Sequence, residues 1–141
     1  MQKSIVYLII IAFCSGSCAV KKNLQEITVE PDVKTTKSWS GADLPPYGEG
    51  APEVTMLRIT IPPGESLKLH KHPCINVGLL ITGELTVMTE TDDTLRLKAG
   101  DPIVELVNTW HFGKNTGKKP AEIMVFYAGI EGEPITVLKE E

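Results

Sequence analysis

The sequence predicts an all-β protein, a small antiparallel sandwich or closed β-barrel. Short segments rich in β-branched residues recur from Val54 onward, turn-forming residues separate them about every ten positions, and no helical stretch lies between them. Parallel sheets need crossover helices, so that spacing favours an antiparallel arrangement. With 141 residues, 42% of them hydrophobic, the chain can bury one core and not two. Twelve Gly and ten Pro exclude a helical bundle. Lys and Arg number 14 against 18 Asp and Glu, a net charge of -4 without a basic cluster, so nucleic acid is not an expected partner.

Residues 1–18 read as an export signal. Lys3 precedes an apolar run from Ile5 to Cys14, and the small residues Ser15, Gly16 and Ser17 lead into Cys18. Ten apolar residues rise about 15 Å as a helix, about half the thickness of a bilayer core, so this run does not span a membrane. Small residues ahead of Cys18 resemble a bacterial lipoprotein processing site, which implies lipidation of that cysteine. Ser15 stands where such sites usually carry Leu, and this leaves open cleavage near Ala19 and a soluble product. Both readings place the protein outside the cytoplasm, in the periplasm or cell envelope, touching a membrane through a lipid anchor at most. Cys74 has no evident disulfide partner.

Residues 19–52 form a polar tether followed by a wrapping loop. Gly41, Pro45, Pro46, Gly48, Gly50 and Pro52 prevent a helix there, while Trp39, Leu44 and Tyr47 supply bulk to pack against a domain. The barrel then occupies residues 53–141. Its expected strands are Val54–Ile61, Leu67–His72, Ile75–Ile81, Leu85–Glu90, Thr94–Lys98, Ile103–Val107, Glu122–Ala128 and Ile135–Leu138. The first has apolar residues on both faces, Val54 and Met56 on one and Leu57, Ile59 and Ile61 on the other. One of these faces is therefore available to a second subunit, and a homodimer is a reasonable expectation.

The three histidines all lie at bends flanking expected strands. His70 and His72 project from one face of a strand while Lys71 points away, and a barrel can bring His111 alongside them. Spacing alone leaves two readings open: three metal ligands, or two exposed histidines and a hydrogen-bonded one beside Trp110. The surroundings are more specific. Gly64-x5-His70-x-His72-x3-Asn76-x6-Gly83 resembles the first cupin motif, and Gly100-x10-His111-x3-Asn115 resembles the second, within a likeness covering Val54 to Leu138. The resemblance implies a jelly-roll barrel in which His70, His72 and His111 hold a divalent transition metal (Fe, Mn, Zn or Ni) beside a small-molecule pocket. It also assigns Gly64, Gly83 and Gly100 to turns.

Departures from the family pattern are informative. Asn76 stands where the first motif usually has a Glu ligand, and its neutral carbonyl oxygen is a weaker donor. Leu106 and Asn108 replace the usual Pro and Gly of the second motif. Glu105 can supply the missing carboxylate as a ligand, or act on a metal-bound water as the candidate catalytic acid or base. It sits in the otherwise apolar run Ile103–Val107, where an unpaired charge is costly, unless it faces solvent or a lysine. Cys74 shares the parity of His70, His72 and Asn76 if Pro73 does not interrupt the strand; a small core filler is the alternative. Trp110, Phe112, Phe126 and Tyr127 are expected in the core or pocket wall. The side chains of Asn108 and Thr109 can orient an imidazole or cap a turn, and Asn115 secures the turn through Gly117. The functional expectation is a metal-binding envelope protein, with an oxidoreductase-like enzyme as its catalytic form. A noncatalytic ligand-binding or structural module is the alternative.

Overall fold

The computed structural model describes residues 26–140, so the expected export signal and Cys18 lie outside the described residues. The architecture below is that of the unit Pro31–Glu141. Its strands are β1 (Pro52–Ile61), β2 (His70–Lys71), β3 (Ile75–Thr82), β4 (Glu84–Thr89), β5 (Thr94–Lys98), β6 (Pro102–Val104), β7 (His111–Lys114), β8 (Ala121–Ile130) and β9 (Val137–Leu138). They form two antiparallel sheets, ordered β1-β8-β3-β6 and β5-β4-β7-β2-β9. No helix occurs among the described residues, as the all-β reading requires.

Period-two alternation assigns the faces. Along β8, Ala121, Ile123, Val125 and Tyr127 are buried, while Glu122, Met124 and Phe126 between them are not. The inner residues meet Leu80 and Ile103 of the same sheet and Leu85, Val87 and Leu97 of the other, which makes one core between the sheets. Gly78 is required in that layer: a Cβ there would come within 2.9 Å of Ile103 and 3.0 Å of Ile123. The motif glycines Gly64, Gly83 and Gly100 all have positive φ, of 81°, 79° and 93°. At Gly83, where the chain passes from one sheet to the other, a Cβ would also strike the Pro120 carbonyl oxygen at 2.6 Å.

Three strands are shorter than expected, Ile135–Leu138 among them as Val137–Leu138, and one further strand was not expected. Leu67–His72 contracts to His70–Lys71, because Pro73 lacks an N–H and Ser66 and Leu67 bond singly to Lys114 and Gly113. Ile103–Val107 becomes Pro102–Val104, although the Glu105 amide extends the ladder by donating to the Asn76 carbonyl at 3.1 Å. His111–Lys114, expected as a bend, is strand β7, joining β4 to β2. Polar and aromatic residues interleaved with Gly113 leave no β-branched signal there. In the preceding loop Trp39 packs on the core and its amide donates to the Val104 carbonyl at 2.9 Å. Tyr47, expected to pack, is 79% exposed instead.

Candidate metal centre

Adjacent strands bring the three histidines together. His70 on β2 pairs directly with His111 on β7, and His72 follows β2 in an isolated bridge to Val107. All three are buried, at 8%, 3% and 1% exposure for His70, His72 and His111. Their ring centroids are 4.6–5.1 Å apart, and one nitrogen from each lies within 4.8 Å of the others. The alternative of exposed strand histidines is thereby set aside. Lys71 points away, with its ammonium 4.9 Å from the Trp110 ring.

Backbone carbonyls fix the protonation of each ring. His70 Nδ1 donates to Lys68 O at 2.6 Å, His72 Nδ1 to Ile135 O at 2.8 Å and His111 Nδ1 to Thr109 O at 2.8 Å. Because a carbonyl only accepts, Nδ1 carries the hydrogen in all three and each neutral ring keeps its lone pair on Nε2. Burial lowers the pKa of His70 and takes His72 and His111 to about 4, with neighbouring imidazoles adding to the shift in the latter two. At neutral pH the site thus presents three uncharged nitrogen donors. The orienting group expected from the Thr109 side chain is its carbonyl instead; the hydroxyl donates to Val107 O at 3.4 Å. Asn108 adopts φ of 55°, so Asn meets at low cost the conformation that the family usually gives to Gly.

The opposite sheet presents a polar row to these rings. Asn76 on β3 is paired with Tyr127 on β8 and, one rung past the Val77–Val104 pair of β3 and β6, stands opposite Glu105. Asn76 is fully buried, Tyr127 is 2% exposed and Glu105 8% exposed. Burial raises the Glu105 pKa to about 7, with the Leu106 amide pulling it partly back. Burial also takes the Tyr127 phenol up to about 12, helped by the charge of Glu105. Glu105 Oε2, Asn76 Oδ1 and His111 Nε2 are all buried without a hydrogen-bond partner, and Glu105 Oε2 lies 3.4 Å from His111 Nε2. Electron pairs face one another across this gap. A cation there would satisfy them, and imidazoles with a carboxylate suit a transition metal better than Mg or Ca.

His70, His72, His111 and Glu105 line a cavity of about 30 Å³, on the order of one water, walled otherwise by apolar residues such as Ile59, Leu85, Val87 and Val125. A second hollow of about 250 Å³ shares His70, His72 and Tyr127 and reaches out between Leu57, Lys68, Thr136 and Leu138. Tyr127 faces the centre, with its ring 5.3 Å from that of His72. Its inward parity with Ile123 and Val125 is the sequence signal that separates it from Phe126, which points outward at 39% exposure. Cys74 is half-buried against the core and free. Asn115 does secure its turn, accepting from the Gly117 amide at 2.9 Å, and also donates to Ile61 O and Lys119 O, each at 2.8 Å. A larger hollow of about 450 Å³ on the outer face, bordered by Val77, Leu79, Met124 and Phe126, carries one carboxylate, Asp32, and no imidazole.

Comparison with known proteins agrees with this geometry. The family model described as "Cupin domain" matches residues 57–127. A double-stranded β-helix protein of Klebsiella pneumoniae superposes with a TM-score of 0.54 at 21% identity, over 67% of this chain and 89% of its own. Oxalate oxidase in complex with the substrate analogue glycolate gives a TM-score of 0.53 at 27% identity, over 60% of this chain. This chain spans only 45% of that enzyme. The DMSP lyase DddQ of Ruegeria pomeroyi gives 0.53 at 23% identity, over 61% of this chain and 43% of the lyase. No curated protein sequence matches the chain.

Proposed function

The chain belongs to the cupin family, and we propose that it is an exported protein holding one divalent transition metal on His70, His72 and His111 beside a small-molecule pocket. One observation carries this reading: three buried imidazoles, each tethered through Nδ1 to a carbonyl, turn their Nε2 lone pairs toward one another. Buried polar atoms in proteins are as a rule hydrogen-bonded, and His111 Nε2 has no partner. Tethering through Nδ1 also orients each ring before binding, as metal-ligating histidines require.

A bound ion would polarise a substrate oxygen held in the apolar cavity. The chain's own residues define what reaches it. Leu57, Ile59, Leu67 and Leu138 give the 250 Å³ hollow an apolar wall, while the Lys68 ammonium and Thr136 hydroxyl offer donors at its border. Its size suits a small organic molecule bearing a few polar groups. Glu105 and Tyr127 are the ionisable groups besides the imidazoles that border the inner cavity, and they are the ones available to hold or move a proton. The oxalate oxidase likeness supports an oxidoreductase-like activity on such a molecule. The alternative is a noncatalytic binding module, distinguished by metal-free protein that still binds a small molecule.

Elemental analysis tests the metal reading. Purified chain should carry about one transition-metal ion, and His72→Ala should reduce the content to below about a tenth. Protein that stays metal-free after incubation with Zn, Mn, Fe(II) or Ni would refute it. The export reading rests on residues 1–18. Mass spectrometry of the membrane fraction should show acyl chains on Cys18, whereas an unmodified chain starting near Ala19 would make the product soluble.

A further inference from the structure

We infer that Glu105, and not Asn76 at the position where the family usually places its carboxylate, supplies the anionic donor of this metal centre from the neighbouring strand. The inference rests on the metal-binding reading above and concerns how the fourth position of that site is filled.

Register supplies the first part of the argument. Val77 pairs with Val104 and Gly78 with Ile103, so continuing the same antiparallel ladder sets Asn76 opposite Glu105. The Glu105 amide, donating to the Asn76 carbonyl at 3.1 Å, shows that the ladder does continue. Directly opposed residues have Cβ atoms about 4.5–5.5 Å apart and project to the same face. Both side chains are buried, and the inner faces of the two sheets enclose the imidazoles. A carboxylate at position 105 in place of 76 is therefore displaced by about one strand spacing, and there it lines the cavity that holds the imidazoles.

Contact geometry supplies the second part. Glu105 Oε2 stands 3.4 Å from His111 Nε2, and neither atom has a hydrogen-bond partner. Two donors at about 2.1 Å from a shared tetrahedral ion are separated by about 3.4 Å. Direct O–H···N hydrogen bonding would draw them closer, to below about 3.0 Å. Asn76 is placed differently. Its Nδ2 donates weakly to Cys74 O at 3.4 Å, and its Oδ1 has no partner but, as a neutral oxygen, adds no charge to the centre. Glu105 is the one carboxylate on the wall of the inner cavity, and without it three neutral imidazoles would face a dication with no counter-charge.

Zn(II) affinity, measured by competition with a chromophoric chelator, tests the assignment in four full-length chains. Glu105→Gln should weaken binding about 100-fold or more, and Asn76→Ala by less than about 5-fold. The double variant Glu105→Gln with Asn76→Glu should return to within about 10-fold of the parent, because it restores a carboxylate across the same rung. Co(II) absorption spectra give a second readout, with Glu105→Gln changing the visible bands and Asn76→Ala leaving them in place. Urea unfolding of the metal-free proteins monitors the fold, and Glu105→Gln should unfold no earlier than the parent. Binding by Glu105→Gln within about 3-fold of a parent that binds Zn(II) would overturn the assignment alone. Loss in Asn76→Ala equal to that in Glu105→Gln would do the same. A parent chain that takes up no metal would overturn both this inference and the metal-binding reading.

Discussion

Single side chains in this protein are set by what burial does to charge. His72 and His111 are held near pKa 4 and His70 is lowered from 6.5, whereas Glu105 is raised from 4.5 to about 7. For the histidines the unfolded chain binds protons more readily, so their contribution to stability is complete above pH 6.5 and is lost as pH falls toward 4. Glu105 works in the opposite sense, favouring the folded state at low pH and losing that advantage as pH rises from 4.5 through 7. Three imidazoles outweigh one carboxyl between these limits. The metal-free protein should therefore lose stability on acidification from pH 6.5 to 4, by several kcal/mol in total at about 1.4 kcal/mol for each pKa unit shifted. Urea midpoints in the presence of a chelator check this, and a midpoint independent of pH across that range would contradict it. The three histidines were legible from their motif, but the source of their orientation was not. Carbonyls of Lys68, Thr109 and Ile135 hold the rings, and a backbone group leaves no mark in a sequence.

Strands and turns show where local pattern suffices and where it fails. Val54–Ile61 and Glu122–Ala128 were readable because β-branched and other apolar residues persist over many positions, and they lie within β1 and β8, which pair along their full lengths. His111–Lys114 was not, since four residues containing a glycine have no period of their own and become a strand through pairing with β4 and β2. The turn after β7 depends on one side chain. Fully buried Asn115 bonds to Ile61, Gly117 and Lys119, joining the end of β1 to the approach to β8. Asn115→Ala would leave two carbonyls and an amide without their partner, and should destabilise the fold by about 2–4 kcal/mol in urea unfolding. A change below about 0.5 kcal/mol would show that water replaces the amide without cost.

At the scale of the whole molecule, two sheets bring together residues that the chain keeps far apart. His70 and His111 become Cα partners, and Tyr127, Asn76 and Glu105 become a row across three strands. The barrel class was legible from segment spacing, and the histidine cluster followed from its resemblance to a family motif. Tyr127 was expected in the core or pocket wall and its parity with Ile123 and Val125 turns it inward, while its register with Asn76 places it beside the histidines. The apolar outer face, where Val54 and Met56 are 66% and 62% exposed, agrees with the two-faced pattern of β1 in the sequence. The central claim is that three imidazoles converge on one ion. X-ray absorption at the metal edge of the loaded protein tests it most directly. Three imidazole nitrogens at about 2.0–2.2 Å, with an oxygen donor, are the predicted shell; a shell of oxygen atoms with one imidazole or none would contradict it.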